Sequence, residues 1–250
     1  MNLLIFGATG GTGRALVEQA LAQGHVVTAF ARNPAKVSTT HDNLRKVRGE
    51  ISDYDSIETA MSGQDAALSA LGIHVRASPL IAVVIICQMI ARFAGLTGPV
   101  GWLVRIGVPL LSTLVLYART TTLSEATKNI VHAMEQLGVK RFVCESSLGI
   151  GDSKGKLGLL YTVILIPLLL RNIFADKEVQ EKLIKESKLN WIIVRPTRLT
   201  NGPKRGTYSH GLDIGSKLMT LSVSRADVAE FMLRQLTEDL YLRKTPGLAS

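Results

Sequence analysis

The chain has 250 residues, 46% hydrophobic and 20% charged, which excludes a disordered, coiled-coil or collagen-like protein and leaves room for one sizeable core. Lys and Arg number 29 against 20 Asp and Glu, and this excess of +9 favours an anionic partner: a phosphorylated cofactor, an anionic lipid surface or nucleic acid. Cys87 and Cys144 are the only cysteines and the five histidines lack ligand spacing, so neither a disulfide framework nor a metal site is expected.

Short apolar runs alternate with helical patterns along most of the chain. The first run, Leu3–Phe6, leads directly into Gly7-Ala8-Thr9-Gly10-Gly11-Thr12-Gly13-Arg14, which opens a helix over Thr12–Ala22. The N-terminus has no basic segment before this glycine loop, so no signal peptide is expected and the compartment reads as cytoplasmic. Glycines let a backbone turn sharply and approach a ligand, and helix N-terminal amides then face negative charge. The spacing G-x-x-G-x-x-G varies the dinucleotide fingerprint G-x-G-x-x-G. Gly7, Thr9, Gly10, Gly11, Thr12, Gly13 and Arg14 are therefore candidate cofactor-binding residues, the alternative being a turn that only reverses the chain.

A second strand, Val26–Phe30, runs into Ala31-Arg32-Asn33-Pro34-Ala35-Lys36. An NAD site carries a carboxylate at that place for the ribose 2′-hydroxyl, and here there is none. Arg32 can stack on adenine and pair with a 2′-phosphate, with Lys36 and Arg14 adding charge, so NADP(H) is expected over NAD(H). A helix over Ile57–Met61 and a strand over Ala66–Leu71 follow. Later come a helix over Ser124–Leu137, a strand over Arg141–Cys144, a helix over Glu178–Lys185, a strand over Trp191–Val194 and a helix over Ala226–Leu236. This alternation predicts an α/β fold, a doubly wound parallel sheet of Rossmann type with strand order 3-2-1-4-5-6.

The stretch Ala66–Ser124 holds no Asp or Glu and contains the apolar runs Leu80–Ala91 and Ile106–Ala118; a third, Leu157–Leu170, is broken by Pro167. Each is shorter than the ~20 apolar residues that span a bilayer. The chain is accordingly expected to be a single domain over 1–250 with apolar helical insertions at about 76–119 and 157–175, both at the carboxyl edge of the sheet where substrates bind. They form either a lid of helices packed on each other or a mouth resting peripherally on a membrane, with Trp102 and the flanking arginines at headgroup level. Tyr117 and Tyr161 could swing over the nicotinamide as substitute acids but read first as amphipathic core or interface residues. His74, close after Gly72, could face a substrate, though the sequence offers it no partner. Nucleic acid is not expected, because the basic residues are dispersed and no recognition motif occurs.

Gly7–Gly13, Arg32, Gly49–Asp53, Lys128–Val131, Glu145–Ser147, Trp191–Pro196 and Ser224–Ala229 together resemble the atypical short-chain dehydrogenase/reductases with an NAD(P)-binding Rossmann fold. The resemblance is greatest to the flavin/biliverdin-IXβ reductase-like and NmrA-like branch. It implies that Glu50 and Ile51 flank the adenine, and that Leu71 and Gly72 lie along the phosphate and nicotinamide-ribose side. It further implies that Ser147 is the active-site serine and Lys177 the lysine of the Tyr-x-x-x-Lys motif. The tyrosine position is Ile173, which cannot transfer a proton. Two functions follow as expectations. One is an NADPH-dependent oxidoreductase passing hydride to a conjugated, lipophilic small molecule such as a flavin or quinone. The other is a non-catalytic NAD(P)-binding sensor or membrane-associated assembly factor.

Overall fold

The computed structural model describes residues 1–72, 121–159, 161–162, 166, 170–216, 219 and 221–250. Residues 1–72 and 121–250 pack as one compact unit. The expected insertion at 76–119, with His74, Trp102 and Tyr117, lies outside the described residues.

Six parallel strands lie in the order expected from the sequence. They are β1 (Asn2–Phe6), β2 (Val26–Ala31), β3 (Leu44–Arg48), β4 (Ala66–Ser69), β5 (Arg141–Glu145) and β6 (Asn190–Pro196), arranged β3-β2-β1-β4-β5-β6. Beyond β7 (Arg198–Thr200), three short strands follow: β8 (Ser209–Gly211), β9 (Ser222–Ser224) and β10 (Gly247–Ala249). β10 pairs parallel with the last residues of β6 and antiparallel with β8, extending the sheet to eight strands, while β7 and β9 form a separate parallel pair.

Both faces of the sheet are covered, which is why the inner strands read as continuous apolar runs. On one face α1 (Gly11–Ala22) packs against Leu3, Ile5 and Val143, and a later helix over Arg225–Arg234 brings Val228, Phe231 and Met232 to the same core. On the other, α2 (Tyr54–Met61), α3 (Thr122–Gln136) and α4 (Arg171–Glu186) cover Leu4, Phe6, Phe142, Cys144 and Ile193. We call the Arg225–Arg234 helix α5. The helix containing Lys177 thus begins at Arg171, inside the segment expected to belong to the second insertion, and runs seven residues longer at its start than the periodicity over Glu178–Lys185 predicts.

Two cross-connections hold α4. Asp176, buried, accepts the amide hydrogens of Leu123 and Ser124 at 3.0 Å each and so caps α3, whose own Thr121 makes no side-chain cap. Arg195, buried in β6, donates from Nε and Nη2 to the two oxygens of Glu181 on α4 at 2.9 and 2.6 Å and from Nη1 to Asp152 at 2.7 Å. Burial opposes ionisation of Glu181, but the Arg195 hydrogen bonds and charge outweigh it and hold that carboxyl below its usual range. The two cores and these ties fix the carboxyl edge of β1, β4 and β5, where the candidate site lies. Among the described residues no helix is long and apolar enough to cross a membrane, and no cluster of His, Cys, Asp and Glu is arranged to hold a metal ion.

Candidate functional site

The turn after β1 is shaped by close backbone approach. Gly7 has φ +77°, and a Cβ there would strike the Ala70 carbonyl just beyond β4. A Cβ on Gly13 would collide with the Gly7 carbonyl, lying 2.6 Å from its carbon, because the first turn of α1 presses onto the loop. Gly10 donates to Gly7 O at 2.9 Å to close the turn. Gly10 is also the N-cap of α1, and it supplies no side-chain acceptor; no acidic residue occupies the first turn. The positive end of the helix therefore has no anion of its own. Thr9 and Gly10 are half-buried and Gly11 is exposed, so the open side of the turn faces solvent.

A diphosphate is the chemical complement of this turn: uncapped amides, a positive dipole end and glycines that admit close approach. The donors around it extend the fit. Arg14, Arg32 and Lys36 are all exposed, and none forms an ion pair with any described residue. Arg32 directly follows the end of β2, and Ala31 pairs in register with Arg48 at the end of β3. The next residues along the chain, Gly49, Glu50 and Ile51, therefore leave the sheet beside Arg32. Glu50 is exposed, Ile51 is half-buried, and the Ile51 carbonyl accepts a hydrogen bond from Asn129 Nδ2 on α3 at 3.1 Å. Leu71, half-buried, and Gly72, exposed, continue from β4 next to the Gly7–Ala70 contact.

The end of β5 supplies the other half of the site. Ser147 is half-buried, with its hydroxyl donating to Leu148 O at 3.1 Å. Lys177, half-buried on α4, donates from Nζ to Ser146 O at 2.9 Å, which brings it to the Ser146–Ser147 turn. Ile173 lies one helical turn before it and is half-buried. Tyr161 is half-buried in the segment between β5 and α4.

Several residues of this edge escape a reading of sequence alone. Glu145, the last residue of β5, is buried and accepts from Thr12 Oγ1 at 3.1 Å, linking the nucleotide turn to the strand that carries Ser146 and Ser147. Burial pushes its carboxyl up, while the charge of Lys177, the Thr12 hydroxyl and the charge of Arg225 pull it back in part. Burial likewise pushes the Lys177 ammonium down, offset in part by Glu145, Cys144 and Glu181. Glu181 accepts from Ser146 Oγ at 2.8 Å while it binds Arg195. Glu145 and Arg195 fall within stretches that carry the family resemblance, but their roles had no sequence signal beyond a lone charge closing or interrupting an apolar strand, as in Val143-Cys144-Glu145 and Val194-Arg195. The partners of such charges lie up to 133 residues away, so spacing does not reveal them.

A doubly wound sheet with an uncapped glycine turn at the β1/β4 switch defines a nucleotide-binding Rossmann protein. The chain belongs to the NAD(P)H-binding family, which matches residues 7–99 and 103–239, and its resemblance to the atypical short-chain dehydrogenase/reductases agrees with that membership. An uncharacterized chloroplastic protein of Arabidopsis thaliana is 28% identical over 242 residues, 95% of this chain and 72% of that protein. Among solved structures, ChuY, an anaerobillin reductase from Escherichia coli O157:H7, matches with a TM-score of 0.69 at 19% identity, covering 100% of this chain and 97% of that one. A short-chain dehydrogenase/reductase from Veillonella parvula in complex with NADP also has a TM-score of 0.69, at 15% identity, covering 100% of this chain and 94% of that one. At such identities these two structures show the fold alone.

Proposed function

We propose that the protein is an NADPH-dependent reductase that passes hydride to a conjugated, lipophilic acceptor such as a flavin, a quinone or a tetrapyrrole. The observation that carries this reading is the uncapped, acid-free first turn of α1, flanked by the exposed and unpaired cations Arg14, Arg32 and Lys36. In it, the amides of Gly7–Gly13 hold the diphosphate. Arg32, Lys36 and Arg14 hold the 2′-phosphate, and Glu50 and Ile51 border the adenine. Leu71 and Gly72 lie along the nicotinamide-ribose side, where Lys177 binds the ribose. The bound cofactor supplies a hydride from its nicotinamide ring, and the rest is positioning and proton supply by this chain. Ile173 offers no proton where the family has tyrosine, so solvent or the Ser147 hydroxyl delivers it; a conjugated acceptor spreads the incoming charge and tolerates that. The structural neighbour ChuY is likewise a reductase, of anaerobillin.

Ile173 equally favours a second reading, a non-catalytic NAD(P)-binding sensor or assembly factor. NADPH oxidation by the purified chain with a panel of flavins, quinones and linear tetrapyrroles separates the two. Turnover on any acceptor supports the reductase, and tight NADPH binding without turnover on all of them supports the sensor. Peripheral membrane contact through the apolar insertions expected at about 76–119 and 157–175 belongs to the same proposal; recovery of the whole protein in the soluble fraction at low salt removes it.

A further inference from the structure

We infer that Arg225 is a further phosphate-binding residue of this site, reaching it from α5 across Gly11 at the start of α1. The inference rests on the cofactor reading above and adds a residue that the glycine motif does not contain. Arg225 is the first residue of α5, a helix on the same face of the sheet as α1. Its side chain lies across Gly11, the first residue of α1: a Cβ on Gly11 would collide with Arg225 Cδ and come within 2.9 Å of its Nε. The Arg225 side chain therefore lies over Gly11, at the start of the uncapped first turn.

Its surroundings leave its donors largely unused. Nη1 donates to Asn201 Oδ1 at 2.6 Å, and no carboxylate lies within ion-pair distance of it among the described residues. Glu145, whose carboxyl feels the Arg225 charge, spends its hydrogen bond on Thr12. A guanidinium has five N–H donors in a planar fork matched to phosphate oxygens. Here that fork lies beside a helix end that is itself partly positive, so an anion seated at the turn is attracted by both.

The placement is rigid. The α5 N-cap, Ser224, donates to Asp227 Oδ2 at 2.7 Å and accepts from Asp227 N at 3.0 Å. Asp227 Oδ1 takes the amides of Arg205 and Gly206, which pins the loop that carries Asn201. Gln19 on α1 donates to Ala226 O at 2.9 Å, tying the start of α5 to α1 itself. A pre-set guanidinium loses little side-chain freedom on binding, which favours the anion further.

Calorimetric titration of the full chain with NADPH, NADH and inorganic pyrophosphate tests this. R225Q is expected to weaken NADPH and NADH by the same factor, about 10- to 100-fold for the loss of charge-assisted bonds, with part of the loss restored in R225K. Gly11→Ala supplies a second reading that removes no polar group: its methyl displaces the Arg225 stem, so it weakens binding in the parent and adds little in the R225Q background. Equal nucleotide binding by R225Q and parent overturns the inference, as does a loss confined to NADPH, which would place Arg225 at the 2′-phosphate. If R225Q does not fold, G11A decides: unchanged nucleotide binding overturns the proposal. A parent chain that binds neither nucleotide sinks the reductase reading instead. Pyrophosphate then judges Arg225 alone, with uptake lost in R225Q supporting it and uptake indifferent to R225Q overturning it.

Discussion

Replacing Arg195 with methionine removes the most deeply buried cation of the described core and leaves its partner behind. Three charge-assisted hydrogen bonds, at 2.9, 2.6 and 2.7 Å, disappear. The Glu181 side chain is only 3% exposed and keeps Ser146 and Lys185 as partners, while Asp152, at 71%, is rehydrated at little cost. Stranding one member of a buried ion pair costs about 3–5 kcal/mol. For a chain of this size each kcal/mol lowers the melting temperature by roughly 2–4 °C, so the loss is roughly 6–20 °C. The pH dependence gives a second reading. In the parent the folded-state carboxyl of Glu181 is depressed, so its contribution is fully present above the ordinary value of 4.5 and is lost as the pH falls through the folded value. In R195M burial again pushes that carboxyl up, so parent and variant differ most near neutrality and converge toward acid. Urea unfolding at several pH values measures both effects. The double variant E181Q/R195M leaves neither charge of this pair and is expected to be more stable than R195M alone. An R195M chain within about 1 kcal/mol of the parent, or a double variant that loses the sum of the two single losses, would refute the reasoning.

Three further outcomes are expected. Arg32→Glu weakens NADPH binding at least about tenfold more than NADH binding, since only NADPH carries the 2′-phosphate; equal losses in parallel titrations would remove Arg32 from that role. Gly13→Ala forces a methyl onto the Gly7 carbonyl, so nucleotide binding is lost and the melting temperature falls, and a variant that binds like the parent would contradict the tight turn. Asp227→Ala leaves the Arg205 and Gly206 amides and the Ser224 hydroxyl without their acceptor, costing roughly 1–3 kcal/mol in denaturant unfolding, with the 201–208 loop exchanging its amide hydrogens faster.

The parallel core was readable because two-sided burial demands unbroken apolar runs: Leu3–Phe6 and Val26–Phe30 sit in β1 and β2 almost residue for residue. β3, Leu-Arg-Lys-Val-Arg, gave no such run, since an edge strand needs only Leu44 and Val47 on the core and tolerates charge elsewhere. β5 and β6 extend past their apolar stretches to Glu145 and to Arg195-Pro196, because polar residues complete strands when distant side chains satisfy them. The glycine turn was legible from local spacing. Its companions Glu145 and Arg225 were not, since what makes them part of the same edge is the packing of α5 on α1 and the reach of Thr12 across the sheet. α4 was legible only at its amphipathic second half; its first half carries Ile173, Phe174 and Lys177 without a clear apolar stripe.

The carboxylate of Asp176 that receives the Leu123 and Ser124 amides comes from a helix some fifty positions downstream. During synthesis α3 thus emerges without this cap, a contribution of about 0.5–2 kcal/mol that it gains only when α4 has left the ribosome and docked beside it. Such a dependence makes the pair one cooperative folding step with a long loop to close, slower than either helix alone. A nascent chain arrested between the two helices should remain open to protease at the head of α3, and one released after Glu186 should not.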